Sequence, residues 1–218
     1  MSRKKTKWRS RFEDADTCMH SEEAKQHRGK WKTYFGNDNP ITLELGCGKA
    51  ELSLELARRH PEINYLGIDI KPDRLARPAQ MAKAEGLTNI AFIHLHLITL
   101  AEHFEENEVD EIWITFPDPF PKKRQAKHRM TNPAFLKGYR EVLKPTGRVQ
   151  FKTDNLPLFQ YSMEVFVHEG NINFEALSFN LHADETLPDD TKIQTYFEQR
   201  FRAEGFDINY VKFGFREE

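Results

Sequence analysis

The sequence has few cysteines, no long apolar run and no repeated or low-complexity segment. Only Cys18 and Cys47 occur among 218 residues, which is too few for a disulfide framework and is typical of a reducing compartment. No apolar stretch approaches the roughly 20 residues of a transmembrane helix, and none follows the basic first residues as in a secretory signal. We therefore expect a cytoplasmic protein with no membrane partner, either a monomer or a homodimer.

A large net charge is also lacking, because 32 Lys and Arg oppose 34 Asp and Glu and leave −2. The charges are nevertheless unevenly distributed. Residues 3–11 contain Lys and Arg but no acid, and residues 122–129 form a second basic cluster, while the compensating acids crowd residues 102–111. Basic clusters of this kind attract polyanions, although a solvated surface is the alternative for residues 122–129. The uneven distribution of charge predicts a nucleic-acid partner, which the net charge alone does not indicate.

With 39% hydrophobic and 12% aromatic residues, the chain is predicted to fold as one domain over residues 21–218, preceded by a basic flexible arm over residues 1–20. A helix is predicted over 21–35. Beyond it, short apolar segments alternate with helical ones. The predicted strands are 41–45, 65–70, 90–95, 109–116 and 148–152, and the predicted helices between and after them are 50–59, 73–85, 135–143 and 156–168.

Repeated strand–helix units predict a Rossmann-like α/β fold, a doubly wound and mostly parallel sheet. A turn is predicted at 145–147 and another helix over 191–204. The strand-like segments 173–180 and 206–213 have no obvious crossover partner. They are therefore expected to add an antiparallel edge.

Four acidic residues fall at or just beyond the carboxyl ends of predicted strands: Glu44, Asp69, Asp118 and Asp154. Ligands of open parallel sheets bind at this edge. The turn with Gly46 and Gly48 allows the backbone to approach a ligand closely, and Asp69 follows at about the 20-residue spacing of a carboxylate that binds ribose hydroxyls. The alternative is a turn whose glycines serve packing only.

The charge of this turn favours S-adenosylmethionine over a dinucleotide. Position 51 is Glu where a dinucleotide-binding loop has its third glycine, and Glu44 precedes the loop. Two carboxylates would repel a pyrophosphate, whereas S-adenosylmethionine has no phosphate and carries a sulfonium and an ammonium. An NAD-dependent oxidoreductase is kept as an alternative.

The segment Ile114–Arg124 holds Asp118 between two prolines at the end of an apolar run, with Lys and Arg directly behind it. Proline fixes φ and removes a backbone donor, so this segment predicts a stiff loop that carries one carboxylate. A cap of the following turn is the alternative role for Asp118, but its place among three other strand-end acids favours a reacting role. A rigid acid beside a polyanion-binding surface indicates chemistry on a nucleic acid.

Taken together, five segments resemble the TrmB family of bacterial tRNA (guanine-N7)-methyltransferases, and the resemblance spans about residues 31–213. These segments are Glu44–Ala50, Gly67–Asp69, Phe116–Lys123, Lys152–Asp154 and Thr195–Glu198. The resemblance implies a class I methyltransferase fold, S-adenosylmethionine as methyl donor, and N7 of guanine at position 46, in the tRNA variable loop, as acceptor. No metal is expected.

The resemblance also implies residue roles. It implies that Asp118 is catalytic, lying at the reacting centre, and that the cofactor contacts are Glu44, Gly46, Gly48, Asp69, His96 and Asp118. It further implies that the substrate nucleotide contacts are Lys122, Asp154, Thr195, Tyr196, Phe197 and Glu198. From their chemistry, Asp154 is expected to read the guanine edge, Phe120 to stack on a flipped base, and Thr195 and Glu198 to share one helical face.

Three positions depart from the family pattern. Ala50 replaces the third glycine, Phe120 replaces a tryptophan, and His96 stands where an acidic adenine contact is expected. Together with His94, His96 imitates a metal-binding pair, but no third ligand is evident. Two further alternatives stay open, which are a base-amine methyltransferase and a non-catalytic RNA-binding protein on the same fold.

Overall fold

The structure is a computed structural model that describes Phe12 and residues 17–216. Most of the predicted basic arm therefore lies outside the described residues. Within them, an eight-stranded sheet has the order β1-β4-β3-β2-β5-β6-β8-β7. The strands are β1 Cys18–His20, β2 Ile41–Leu45, β3 Asn64–Asp69, β4 Ile90–His94, β5 Val109–Thr115, β6 Leu143–Thr153, β7 Ile172–Ser178 and β8 Asn209–Phe215.

Helices cover both faces of this sheet, as a doubly wound fold requires. The α-helices of the described residues are α1 Ser21–Ala24, α2 Trp31–Phe35, α3 Glu51–Arg59, α4 Pro72–Glu85, α5 Pro133–Val142, α6 Leu156–Glu169 and α7 Tyr196–Ala203. One-turn and two-turn 3₁₀ segments lie at Lys25–His27, Leu97–Glu102, Lys123–His128 and Asp189–Lys192. No helix of the described ranges has the length and apolar character needed to span a membrane.

The central strands are buried on both faces. Every residue of β2 is buried, and so is every residue of β3, including the polar residues Glu44 and Asp69. Burial on both faces is typical of parallel strands between two helical layers. Two separate core clusters result, one on each face, and the predicted strands and helices of this region are confirmed within a few residues.

The predicted antiparallel edge is confirmed. β8 pairs antiparallel with β6 on one side and with β7 on the other, whereas β2 to β6 pair in parallel. The fold is therefore the mostly parallel Rossmann-like sheet with antiparallel edge strands that the sequence predicts.

Three local predictions are wrong. Cys18–His20 belongs to the sheet rather than to an arm, because Met19 is buried in the core and β1 pairs with β4. The helix predicted over 21–35 is divided into short pieces, since Gly29 adopts a left-handed φ of 71°. The predicted turn at 145–147 is an irregularity within β6, where the pairing with β5 shifts.

The strand order fixes where a ligand can bind. From β2 the chain first adds β3 and β4 on one side and then returns to place β5 on the other side of β2. Such a reversal opens a crevice outside the carboxyl ends of the strands, and ligands of doubly wound folds bind there.

Candidate active site

A cleft with two lobes occupies this crevice. The lobe named here the Asp69 lobe is lined by Asp69, Ile70, His96, Leu97, Phe120 and Met130, among others. The lobe named here the Asp154 lobe is lined by Glu44, Glu51, Asp154, Thr195, Tyr196 and Phe197, among others. The residues that line both are Gly46, Arg74, Phe116, Pro117 and Asp118. The Pro-Asp-Pro loop therefore stands where the two lobes meet.

The glycine turn is tied to the end of β3 by Asp69. The Asp69 carboxylate accepts hydrogen bonds from Gly48 N at 2.9 Å and from Lys71 N at 2.8 Å. Its side chain is almost fully buried, yet it lines the lobe that carries its name. Gly46 and Gly48 have φ values of 70° and 56°, which glycine adopts without a steric penalty.

Ala50, the departure from the family's third glycine, adopts the same left-handed conformation with φ 50°. It is fully buried and ends the turn as the residue that precedes α3. A methyl side chain is therefore accommodated at this position, although non-glycine residues are uncommon in this region.

Glu44 lies beneath the turn, with only 3% of its surface exposed. One carboxylate oxygen accepts from Ser53 N at 3.1 Å and from the Ser53 hydroxyl, and the other accepts from Thr115 Oγ1 at 3.0 Å. Burial raises the pKa of this carboxyl, and these hydrogen bonds oppose the rise. Glu44 reaches the wall of the Asp154 lobe, but both of its oxygens already have partners within the protein.

Asp118 is exposed and is held by an unusual backbone. Phe116 and Phe120, on either side of Pro117–Pro119, both adopt left-handed φ values, 49° and 43°. Non-glycine residues in this region cost about 1–3 kcal/mol each and concentrate at functional sites. The loop thus combines two fixed prolines with two strained phenylalanines, and it presents Asp118 to both lobes.

Phe120 and Lys122 lie away from the Asp154 lobe. The Phe120 ring lines the Asp69 lobe and contacts His128, with 5.6 Å between ring centroids. Lys122 is exposed and precedes the 3₁₀ segment Lys123–His128. The Phe120 ring therefore borders the Asp69 lobe and not the Asp154 lobe, and its stacking on a flipped base stays a prediction.

Asp154 follows β6 directly. Its side chain is half-buried and lines the Asp154 lobe. Burial raises the pKa of its carboxyl above the usual range. The next residue, Asn155, caps α6 by accepting a hydrogen bond from Leu158 N at 2.9 Å. The cap fixes the chain direction at the point where Asp154 faces the cleft.

The segment Thr195–Glu198 closes the far wall of the Asp154 lobe, but its members point in different directions. The helix predicted over 191–204 begins only at Tyr196, because Thr195 is its N-cap and accepts from Glu198 N. Tyr196 and Phe197 are half-exposed beside the cleft, at 53% and 51%. Glu198 is fully buried and bonds to Lys152 and His182, so it does not share an exposed face with Thr195.

His96 lies in the Asp69 lobe, where the family pattern has an acid. It is exposed and caps the 3₁₀ segment Leu97–Glu102 through its Nδ1, which accepts from Ile98 N. His94 does not face it; the Nδ1 atoms of His94 and His20 lie 3.0 Å apart. Within the described residues, no group of three or more His, Cys, Asp or Glu side chains is arranged to hold a metal ion.

Two contributors to the cleft carry no sequence signal of their own. Glu51 accepts from Tyr196 N at 2.5 Å and so joins α3 to α7. Arg74 lies 3.7 Å from the Asp69 carboxylate and lines both lobes. In the sequence, Glu51 is informative as a missing glycine and as a negative charge, but nothing there indicates its bond to α7. Arg74 resembles an ordinary helix surface residue there, because only the tertiary fold turns it toward the cleft.

Known proteins match both the sequence and the fold. A family model described as "Putative methyltransferase" matches residues 38–210. The tRNA (guanine-N(7)-)-methyltransferase of Cytophaga hutchinsonii is 43% identical over 196 residues, covering 89% of this chain and 88% of that protein. The tRNA (guanine-N(7)-)-methyltransferase of Christiangramia forsetii is 44% identical over 188 residues, covering 85% and 84%.

Solved structures resemble the fold at low sequence identity. The 16S rRNA methyltransferase KamB superposes with a TM-score of 0.66 at 14% identity, covering 87% of this chain and 94% of that one. A 16S rRNA (adenine(1408)-N(1))-methyltransferase from Catenulisporales acidiphilia, solved with its cosubstrate SAM, has a TM-score of 0.61 at 14% identity, with 87% and 91% covered. These likenesses establish the class I methyltransferase fold. Together with the sequence matches, which extend over most of both partners, they show that the chain belongs to the TrmB family of tRNA (guanine-N7)-methyltransferases.

Proposed function

We propose that this protein transfers a methyl group from S-adenosylmethionine to N7 of a guanine in the variable loop of tRNA, and that it works in the cytoplasm. One observation carries the proposal: Asp118 stands on a strained loop where the Asp69 lobe and the Asp154 lobe meet. A donor that extends from the Asp69 lobe along the glycine turn, and an acceptor base in the Asp154 lobe, would bring their reacting atoms together beside this carboxylate. The relatives named tRNA (guanine-N(7)-)-methyltransferase support the acceptor.

The residues of the cleft fit S-adenosylmethionine. Asp69, at the end of β3, suits ribose hydroxyls, and His96 lies farther along the same lobe. Gly48 has an open side, because a Cβ added there would meet no heavy atom within 4 Å beyond its chain neighbours, and this space suits the methionine part of the donor. The exposed carboxylate of Asp118 offers negative charge to a sulfonium and an ammonium, whereas it would repel a pyrophosphate, and Glu44 borders the same space with its oxygens bonded to Ser53 and Thr115.

The chemistry requires positioning more than proton transfer. S-adenosylmethionine, when bound, supplies an electrophilic methyl group. Guanine N7 has a free lone pair and no proton to lose, so the site needs no strong general base. The stiff loop around Asp118 favours a fixed approach of the base, and proximity and orientation supply most of the rate.

Asp118 has a second role that follows from charge. As the methyl group moves, positive charge develops on the purine ring, and a preorganised carboxylate beside the ring stabilises that charge. Asp154 is assigned to the guanine N1–H and exocyclic amine, which adenine does not present in the same pattern. Thr195, Tyr196 and Phe197 are assigned to the nucleotide, and Lys122 to the RNA backbone.

The test is transfer of labelled methyl from S-adenosylmethionine to an unmodified tRNA transcript, followed by chain cleavage specific for 7-methylguanosine. Label at a variable-loop guanine is expected. A transcript in which that guanine is replaced by adenine serves as the matched control and should stay unlabelled. Label on an exocyclic amine would replace the proposal with a base-amine methyltransferase. Bound S-adenosylmethionine with no label on any tRNA would favour a non-catalytic RNA-binding protein.

A further inference from the structure

A lysine and a glutamate with no exposed side-chain surface form an ion pair between the sheet and the substrate segment. Lys152 lies near the end of β6, two residues before Asp154, and Glu198 lies in the first turn of α7. The Lys152 Nζ is 2.8 Å from Glu198 Oε2, and both side chains are 0% exposed. The role proposed above for the cleft makes no use of either charge.

Every hydrogen-bonding proton of the Lys152 ammonium has a partner in the segment that leads into α7. Besides Glu198, Nζ donates to Ile193 O at 2.8 Å and to Thr191 O at 3.2 Å. The other oxygen of Glu198 bonds to His182 Nε2 at 2.8 Å. Thr191, Ile193 and Glu198 are thus bonded to the Lys152 side chain of the sheet. His182 is bonded to Glu198, the carboxylate partner of Lys152.

Lys152 also contacts the loop that carries Asp118. Its carbonyl oxygen accepts from Phe116 N at 3.0 Å, and its Nζ lies 5.8 Å from the centre of the Phe116 ring. Phe116 is one of the two residues with left-handed φ that bracket Pro117–Pro119. Lys152 is therefore bonded to both walls of the Asp154 lobe, through its backbone on one side and its ammonium on the other.

The energetics indicate a role in specificity rather than in stability. Desolvation lowers the pKa of Lys152, and Glu198 opposes that effect. A buried ion pair recovers little more than its desolvation cost, and apolar replacements of both partners are often as stable as the pair. Buried charges that satisfy many partners at once instead tend to select one arrangement of the chain.

We infer that the Lys152–Glu198 pair is a positioning device that holds Thr195–Phe197 at the cleft and thereby sets the affinity for the RNA substrate. This inference rests on the proposed function for its substrate, and it assigns Glu198 an indirect role in place of a substrate contact. Lys152 and Glu198 are positioning residues, because they act through Thr195, Tyr196 and Phe197.

The test compares Glu198→Gln, Lys152→Met and an apolar double variant, Lys152→Met with Glu198→Met, with a control pair, Arg148→Met combined with Glu175→Gln. Arg148 lies on the same strand as Lys152 and forms an ion pair with Glu175 at the partly exposed edge of the sheet. Each variant is measured for Tm, for the Kd of S-adenosylmethionine, for the KM of a tRNA transcript, and for hydrogen exchange of the amides of 195–197.

In Glu198→Gln we expect faster exchange at 195–197 and a KM for tRNA raised about tenfold, as the loss of a charged hydrogen bond implies, with cofactor affinity within about threefold. The double variant should recover Tm without recovering exchange protection or KM. The control pair should change neither exchange protection nor KM. If Lys152→Met does not fold, Glu198→Gln and the double variant still decide the outcome.

Recovery of KM together with Tm in the double variant would overturn the inference, and so would a parallel loss of cofactor affinity. Unchanged exchange at 195–197 in every variant would overturn it as well. A failure of the proposed function would give a different result. The wild-type protein would then leave tRNA unlabelled, but hydrogen exchange would still report whether the ion pair orders residues 195–197.

Discussion

The guanidinium of Arg129 donates to the carbonyl oxygen of Phe120 from Nε, at 3.3 Å, and from Nη2, at 3.0 Å. Nε also approaches the carbonyl oxygen of Pro119 at 3.2 Å, and the guanidinium lies 4.1 Å from the centre of the Tyr161 ring. Arg129 belongs by sequence to the basic cluster expected to face RNA. In the structure, the planar guanidinium of Arg129 instead holds the strained loop next to Asp118 in place through these hydrogen bonds.

Arg129→Lys is therefore expected to lower kcat by about 10- to 100-fold, because a lysine cannot hold the same carbonyl with two donors and small displacements of a reacting group are costly. The measurement is single-turnover methylation of a tRNA transcript at saturating S-adenosylmethionine. The matched control is Arg140→Lys on α5, which should retain the wild-type rate. A raised KM for tRNA with unchanged kcat would return Arg129 to the RNA-binding surface.

Asp118→Asn is expected to lower kcat by about 100-fold or more, because the amide keeps the shape of the side chain but removes the charge that faces the developing cation. The Kd of S-adenosylmethionine, measured by calorimetry, should change little. Asp38→Asn, at an exposed turn before β2, is the matched control. An equal loss of cofactor affinity and kcat would make Asp118 a cofactor ligand instead of a catalytic residue.

Asp69→Ala is expected to show the opposite pattern. Its carboxylate fastens Gly48 N and suits the ribose, so its loss should raise the Kd of S-adenosylmethionine about tenfold or more, as expected for a lost charged hydrogen bond. The rate at saturating cofactor should fall much less. Asp69→Asn keeps one acceptor and should lie between the wild type and Asp69→Ala. A variant with normal cofactor affinity and a slow rate would contradict this assignment.

Much of the fold is readable from the sequence, for identifiable reasons. β2 is predicted at its observed bounds, Ile41–Leu45, because its three aliphatic residues lie between the turn that ends at Pro40 and the glycine turn. The edge strand Cys18–His20 escapes prediction because three residues carry no periodicity. The helix predicted over 21–35 is wrong because Gly29, bonded through its N–H to Glu108, takes a left-handed turn that tertiary contacts select.

The part of the candidate site that lies at strand ends can be predicted from the sequence, because the carboxyl ends of parallel strands meet at one edge of the sheet. This reasoning alone brings Glu44, Asp69, Asp118 and Asp154 to the same cleft, where the structure has them. The burial of Glu198 has no such signal, because it depends on Lys152, which lies 46 residues away in the chain. A lysine near the end of a strand is ordinarily exposed, so nothing local marks this one as buried.

Neutralising the exposed cluster Lys122, Lys123 and Arg124 to Gln should raise the KM for tRNA and reduce the salt dependence of binding. Three lost phosphate contacts correspond to a slope of log K against log salt that is shallower by about two to three. Filter binding of a tRNA transcript between low and physiological salt provides the measurement. A triple variant of Lys83, Lys137 and Arg140, on helices that return the chain to the opposite edge of the sheet, is matched in charge. An equal effect in both triples would mean that only total charge matters.

The pair His20–His94 predicts a loss of stability at mildly acidic pH. Burial lowers the pKa of His94 below its ordinary value of 6.5, and the neighbouring His20 lowers it further, while a backbone hydrogen bond at Ile70 and the charge of Asp69 oppose this. The folded state therefore binds fewer protons than the unfolded chain, and stability present above pH 6.5 is lost as the pH falls toward the depressed pKa.

His94→Gln should accordingly flatten the dependence of unfolding free energy on pH below about 6.5, because glutamine does not titrate. Urea unfolding at a series of pH values, from about 5 to about 8, measures this slope. His182, whose pKa burial also lowers, contributes with the same sign, so the His94 variant should remove only part of the dependence. A curve identical to that of the wild type would show that protonation of His94 is not linked to folding.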